Sequence, residues 1–182
     1  IDIVGMADVS IKESADRVRI AVKNSGLEFP RGRIAVNLAP AGVRKEGAYF
    51  DLSVAVAILY QFGTILPNDF KVMVLGELEL SGRLRSVKGI LSSVIAGRNA
   101  GVDFFIVPED NYREACSSQA DNIFPCSTLS DAVDTLNRLI RRERIRVSAP
   151  ELDIPPDDIE IYGDISDIRG QSYLKKALLT AA

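Results

Sequence analysis

Hydrophobic and polar residues follow one another along this chain with two different periods. Ile34, Val36 and Leu38 recur at every second position, which predicts a half-buried β-strand. The apolar run at 52–59, which follows a loop, is typical of a buried helix. We expect this segment, a strand, a loop and a helix at 33–59, to organise the rest of the domain.

The loop between this strand and this helix is where the sequence predicts chemistry. A loop in this position presents backbone amides at a helix N-terminus, where an anion or an oxyanion is stabilised. Asp51 stands where the N-cap of the helix is expected. Lys45, Glu46 and Gly47 admit two interpretations. They form either a glycine turn with two solvated charges, or the remnant of an active-site groove that now binds a peptide, DNA or a neighbouring subunit.

The remaining pattern alternates helices with short strands. It predicts a helix that runs from a capping box at Ser10 and Glu13 to Gly26, and a hairpin with a two-residue turn at Ser81 and Gly82. The other predicted elements are strands at 71–75, 104–107 and 122–125 and helices at 88–100, 111–117 and 129–141. This order, without internal repeats, predicts an α/β (α+β) fold with a mixed sheet and packed helices.

Composition narrows the chemistry that this fold can carry. Among 182 residues, 47% are hydrophobic and 26% charged, which is typical of a globular domain with a sizeable core. Histidine is absent, which excludes Ser-His-Asp triads and most transition-metal sites, so we predict no metal site. The net charge of −3 gives no global signature of nucleic-acid binding, so a DNA role has to rest on a local basic patch.

The two cysteines and the lack of long apolar runs indicate the compartment. Cys116 and Cys126 are predicted to be plain thiols in a reducing environment. No apolar run approaches the roughly 20 residues that span a bilayer, and no signal peptide is present, so we expect a cytoplasmic protein without a membrane partner. The sequence starts at Ile1, within what reads as the end of a strand, and we expect that a further N-terminal piece precedes it in the natural protein.

The strongest concentration of charge is an arginine cluster at the end of the last predicted helix. One interpretation is that these cations complement the dipole at a helix C-terminus. The other is that they contact DNA phosphates, with binding that depends strongly on salt. Aromatic residues do not interleave with them, so base stacking is not indicated. The cluster comprises Arg138, Arg141, Arg142, Arg144 and Arg146.

Several short motifs occur in a fixed order over nearly the whole chain. They are a KEG loop, an FDL helix start, a GEL-to-GR hairpin and a GVDFFIVP strand. This order resembles the N-terminal domain of the ComM/YifB group of Mg-chelatase-like AAA+ proteins, which is similar in turn to the proteolytic domain of Lon. The resemblance implies a Lon-protease-like fold, also described as ribosomal protein S5 domain 2-like.

The resemblance also locates the two catalytic positions of a Lon-type peptidase. In that family a serine follows the loop, and a lysine lies one turn into the helix after the hairpin. The serine position falls on Tyr49, or on Phe50 if the loop slips by one residue, and the lysine position falls on Ser93. A Ser/Lys pair needs a hydroxyl nucleophile beside an amine of lowered pKa. The resemblance therefore implies a degenerate dyad, with the fold kept and the peptidase lost.

A displaced catalytic pair is the alternative that would preserve a peptidase. It would combine the amine of Lys88 with the hydroxyl of Ser53, Ser92 or Ser93. Ser53 is expected within the first helical turn, where serine is common for capping reasons.

The C-terminal part of the sequence changes character after the arginine cluster. Three of the eight prolines and several acids fall within 147–164, which is typical of a linker. The following DISDIRGQSYLKKALLTAA resembles the first motif of an AAA+ ATPase module, and it implies that Ile168, Gly170 and Gln171 lie at the adenine end of a nucleotide site. The predicted organisation is a non-proteolytic Lon-protease-like domain at 1–146 with a truncated N-terminus, a linker at 147–164, and the start of an AAA+ module, including its first helix, at 165–182.

For the full-length protein the resemblance implies a bacterial ATPase. It would bind and hydrolyse ATP with Mg²⁺, assemble as a homo-oligomeric ring, a hexamer, and remodel DNA as a branch-migration helicase in recombination or transformation. No phosphate loop occurs in these 182 residues, so no cofactor is expected in this part of the protein. Two alternatives remain open: an active Ser/Lys peptidase, and a metal chelatase subunit.

Overall fold

The computed structural model describes residues 1–4, 9–39, 48–148, 150 and 175, and for 9–12 the backbone alone. The chain divides into two compact units, Ile1–Pro150 and Glu151–Ala182. Lys175, in a helical conformation, is the described residue of the second unit. The capping box predicted at Ser10 and the loop at 45–47 lie outside the described side chains.

The first unit alternates strands and helices, as the sequence predicts. Short 3₁₀ turns at Ala48–Phe50 and Glu109–Asn111 precede two of the helices. In chain order the elements are β1 (Asp2–Val4), α1 (Val9–Asn24), β2 (Ala35–Asn37), α2 (Asp51–Gln61), β3 (Val72–Val74), β4 (Glu77–Leu78), β5 (Leu84–Arg85), α3 (Ile90–Asn99), β6 (Phe104–Pro108), α4 (Tyr112–Cys116), β7 (Ile123–Cys126) and α5 (Leu129–Ile140).

The described strands form three small sheets. A parallel sheet has the order β3-β6-β7, with Met73 opposite Phe105 and Ile106 opposite Phe124. β1 and β2 form a second parallel pair, and β4 and β5 form an antiparallel hairpin. Parallel neighbours need crossover connections, and here α1, α3 and α4 lie in the chain between the paired strands. The predicted α/β class is confirmed.

Side chains of the three-stranded parallel sheet alternate between two hydrophobic clusters. On β6, Ile106 belongs to a cluster formed with α1, α2 and α5. Its neighbours Phe105 and Val107 belong to a second cluster with α3 and α4. Because successive residues of a strand point to opposite faces, this alternation shows that apolar side chains cover both faces of the sheet. The arrangement explains why the strand is an unbroken apolar run in the sequence.

The hairpin between β4 and β5 differs from the prediction. Glu79 N–H donates to the Arg83 carbonyl at 2.9 Å, and Gly82 N–H donates to the Glu79 carbonyl at 2.9 Å. These bonds close a three-residue loop, Leu80 to Gly82, with Gly82 at a φ of +87°. The predicted two-residue turn is therefore wrong. Glycine at the left-handed position that follows a tight turn favours the three-residue form.

Candidate functional site

Tyr49 and Ser93, the two positions where the family resemblance predicts a degenerate dyad, meet in space. Tyr49 lies in the 3₁₀ turn before α2, and Ser93 lies in the first turns of α3. Their hydroxyl oxygens are 2.6 Å apart. The Ser93 hydroxyl is also 3.0 Å from the carbonyl of Gly89, to which it donates. Because that donation uses the serine proton, the phenol of Tyr49 is the donor to Ser93.

Contacts with Gly76 fix the turn that carries Tyr49. Leu52 N–H donates to the Gly76 carbonyl at 3.1 Å, and Gly76 N–H donates to the Tyr49 carbonyl at 3.4 Å. Gly76 has a φ of +155°, and a Cβ there would approach Pro108 Cγ to 3.2 Å and Leu52 Cδ2 to 3.4 Å. A side chain at this position would be strained by the backbone conformation, and its Cβ would press against Pro108 and Leu52. The Phe50 ring meets the Tyr49 ring edge to face, with centroids 5.3 Å apart.

Asp51 is not the N-cap that the sequence predicts. The N-cap of α2 is Phe50, without a side-chain capping bond, and Asp51 is the first helical residue. Its carboxylate is completely buried and accepts hydrogen bonds from the Ser14 hydroxyl, from Arg17 Nε at 3.0 Å and from Leu78 N–H at 3.4 Å. The hydrogen bond to Asp51 is the main cause that raises the pKa of Arg17. The carboxylate therefore ties α1, α2 and β4 together.

A displaced Ser/Lys pair is absent from the described residues. The Ser53 hydroxyl donates to the Val74 carbonyl at 2.5 Å, which attaches the first turn of α2 to β3. Ser92 and Lys88 are both exposed, and no described hydrogen bond joins a serine hydroxyl to a lysine amine. At the two predicted dyad positions this structure has a phenol and a serine hydroxyl that are hydrogen-bonded to each other. This arrangement contains no general base.

A neutral cavity of about 790 Å³ lies between α2 and β3. It is lined by the exposed side of α2, including Tyr60, and by β3 and Phe70. No residue in its lining is charged. The sequence pattern does not predict this cavity, because the apolar residues that line it have the same spacing as ordinary core residues.

The structure divides the arginine cluster into two groups. Arg138 lies 3.4 Å from a carboxylate oxygen of Glu143 and 3.9 Å from one of Asp134, and Arg141 lies 4.0 Å from Glu143. The other three arginines, Arg142, Arg144 and Arg146, are exposed, and none forms an ion pair with a described residue.

Metal ligands do not cluster in the described part of the chain. No group of three or more His, Cys, Asp or Glu side chains is arranged to hold a metal ion in the described part of the chain. Ile168, Gly170 and Gln171 lie outside the described residues. Cys116 and Cys126 are free thiols, as predicted. None of the described helices has the length and apolar character to cross a membrane.

Comparisons with known proteins agree with this architecture. Residues 1–111 match the model of the family "Subunit ChlI of Mg-chelatase". The chain is 34% identical over 185 residues to competence protein ComM of Haemophilus influenzae, covering 99% of this chain and 35% of that protein. It is 34% identical over 183 residues to the uncharacterized protein YifB of Escherichia coli, covering 98% of this chain and 34% of that protein. The chain thus spans about a third of the length of these relatives.

A weaker similarity extends to peptidases. The chain is 26% identical over 147 residues to Lon protease of Aquifex aeolicus, covering 77% of this chain and 18% of that protein. Together with the α/β architecture, this match supports the predicted Lon-protease-like fold.

These matches define the class as AAA+ Mg-chelatase-like, a class whose members commonly form oligomeric rings and depend in general on nucleotide and Mg²⁺. The chain belongs to the Mg-chelatase ChlI subunit family, as a ComM/YifB-type member.

Proposed function

We propose that residues 1–146 form a Lon-like accessory domain without peptidase activity, in a ComM/YifB-type AAA+ ATPase that remodels DNA. The observation that carries this proposal is the hydrogen bond between Tyr49 and Ser93. A phenol and a serine hydroxyl stand at the two proposed dyad positions and bind each other. We propose that they stabilise the fold, because neither group can activate a nucleophile.

The process in which we place the protein is DNA branch migration during recombination or transformation. Support comes from the similarity to a relative named competence protein ComM. The exposed arginines at the end of α5 are the part of the described domain that suits contact with DNA, because arginine neutralises phosphate charge. A cytoplasmic location accords with this role and stays a prediction.

We propose a homo-oligomeric ring, a hexamer, as the working assembly. In a ring, the arginine cluster of each subunit repeats around an axis, and several weak contacts add to one strong attachment. We propose ATP and Mg²⁺ as the cofactors of the full-length protein, and none for the part of it given by these 182 residues. Ile168, Gly170 and Gln171 are proposed for the adenine end of the nucleotide site, with 147–164 as the linker that leads to it.

The test of the DNA role is binding of the full-length protein to forked DNA at several salt concentrations. The triple variant Arg141→Gln, Arg142→Gln, Arg144→Gln is expected to bind DNA more weakly and with a flatter salt dependence, while ATP binding persists. Unchanged DNA affinity and salt slope would exclude the cluster as a DNA contact. The control variant Arg113→Gln changes an exposed arginine on α4, outside the cluster, and should leave binding intact.

The metal chelatase alternative rests on the family description alone. ATP hydrolysis by the full-length protein, measured with and without forked DNA, separates the two hypotheses. Hydrolysis that forked DNA leaves unchanged would favour the chelatase.

A further inference from the structure

The helix that carries the arginine cluster ends in an unusual way. Arg142 N–H donates to the Leu139 carbonyl at 2.9 Å, and Glu143 N–H donates to the Arg138 carbonyl at 3.0 Å. With Arg141 as the C-cap, these two bonds form a Schellman motif. The residue after the C-cap in this motif adopts the left-handed conformation, and Arg142 does so with a φ of +58°.

Glycine is the usual residue at that position, because a Cβ is strained in the left-handed region. Arginine is neither small nor, like asparagine, able to stabilise this conformation through its own short side chain. The fold therefore tolerates backbone strain at a position where it places an exposed guanidinium. Strain of this kind, when it is observed, points to a function for the residue that bears it.

The second feature of the Schellman motif is also altered. An apolar contact commonly joins the residue two positions after the C-cap to the third-last helical residue. Here those residues are Glu143 and Arg138, and an ion pair of 3.4 Å takes the place of the apolar contact. Glu143 also lies 4.0 Å from Arg141. The Glu143 carboxylate thus pairs with Arg138 and Arg141, which precede the left-handed residue. It forms no described ion pair with Arg142.

Beyond Arg142 the chain continues with alternating burial. Ile145 and Val147 are half-buried and pack against the main hydrophobic cluster. Arg144, which precedes Ile145, and Arg146, which lies between Ile145 and Val147, are exposed. Alternate residues of an extended chain point the same way and lie roughly 6–7 Å apart. The apolar side chains hold this segment against the domain and turn the arginines outward.

We propose that Arg142, Arg144 and Arg146 form a cationic row that contacts the phosphate backbone of DNA, and that Arg142 keeps its strained position for this contact. The inference rests on the proposed DNA role and assigns that role to three of the five clustered arginines. A row of point charges without exposed apolar neighbours suits a partner that repeats negative charge at regular intervals. Such a row reads no base sequence, so binding should be independent of sequence.

The experiment compares three variants by thermal unfolding and by binding to fluorescein-labelled forked DNA in the full-length protein. Arg142→Gly removes the charge and relieves the strain. Arg142→Lys keeps both the charge and the strain. Gln119→Gly is the matched control, because Gln119 is also exposed and left-handed, with a φ of +55°, but carries no charge.

Arg142→Gly is expected to weaken DNA affinity about threefold for each subunit that contacts the DNA. The slope of log affinity against log salt concentration should fall by about the value of one phosphate contact for each such subunit. Its melting temperature should be equal to that of the wild type or higher by about 2 °C. Arg142→Lys should bind as the wild type does. Gln119→Gly should gain stability without any change in binding.

Unchanged DNA binding in Arg142→Gly would overturn the inference. If the triple glutamine variant then still lost binding, the cluster would stand as a DNA contact and the role assigned to Arg142 would be wrong. If that variant also bound normally, the cluster itself would be excluded as a DNA contact. Stronger binding of the wild type to poly-glutamate or to anionic phospholipid vesicles than to DNA, lost in Arg142→Gly, would reassign the row to a different partner and overturn the proposal.

Discussion

The hydroxyl of Tyr49 donates a hydrogen bond to the hydroxyl of Ser93, over a separation of 44 residues in the chain. The bond joins the turn before α2 to the start of α3, the two elements on which we predict the positions of a degenerate dyad. We expect this contact to stabilise the fold.

Removal of that contact should reduce stability. Tyr49→Phe keeps the ring and its edge-to-face contact with Phe50, but leaves the Ser93 oxygen without its donor. We expect a loss of about 1 kcal/mol in the free energy of unfolding, measured by urea denaturation. Tyr60→Phe is the control, because Tyr60 is 41% exposed and its hydroxyl has no described partner. Equal effects of the two substitutions would contradict the structural role of the Tyr49 hydroxyl.

The buried carboxylate of Asp51 should contribute more. Asp51→Asn removes the negative charge that Arg17 and the Ser14 hydroxyl share, and it replaces a charged hydrogen-bond acceptor at a buried position with a neutral one. We expect a loss of about 2–3 kcal/mol in the free energy of unfolding. The control is Asp121→Asn, an exposed carboxylate without a described partner, which should change stability by less than about 0.5 kcal/mol. A similarly small effect of Asp51→Asn would show that the network has little energetic weight.

Stability should fall in alkaline solution because of Cys126. Burial raises the pKa of the Cys126 thiol from 9.0 to about 12, and the thiol donates to the Thr135 hydroxyl, with Sγ and Oγ1 3.8 Å apart. The folded state therefore holds this proton more tightly than the unfolded chain. The stabilisation is fully present below pH 9 and is lost as the pH rises towards 12.

Urea denaturation at pH 8 and pH 10 measures this effect. Wild type should lose about 1 kcal/mol more than Cys126→Ala between the two pH values, because the variant has no thiol to titrate at this position. Cys116→Ala serves as the control and should retain the alkaline loss. Identical pH dependence of wild type and Cys126→Ala would contradict the assignment.

Local sequence patterns predicted most of the elements, because their apolar periods survive in the folded chain. The strand before the loop and the helices α1, α3 and α5 lie where the periodicity placed them. The family resemblance, and not the periodicity, brought Tyr49 and Ser93 together as a candidate site.

Other features depend on contacts that no local pattern reveals. Asp51 resembles an N-cap in sequence, yet its partners Ser14 and Arg17 come from a helix 34–37 residues away. The left-handed end of α5 carries arginine instead of the glycine that signals such an end, so no local pattern predicts the Schellman motif there. The loop at 45–47 and the predicted nucleotide segment lie outside the described residues, and their roles stay predictions.

Hydrolysis of fluorogenic peptides and of unfolded casein tests the central claim most directly. The full-length protein, with ATP and Mg²⁺ present, should show no turnover above the level of a Tyr49→Phe, Ser93→Ala double variant, because neither position supplies a nucleophile with a base. Turnover by the wild type that disappears in the double variant, or that a fluorophosphonate blocks with a covalent adduct on a serine of this domain, would contradict a domain that has kept the Lon-like fold and lost the peptidase.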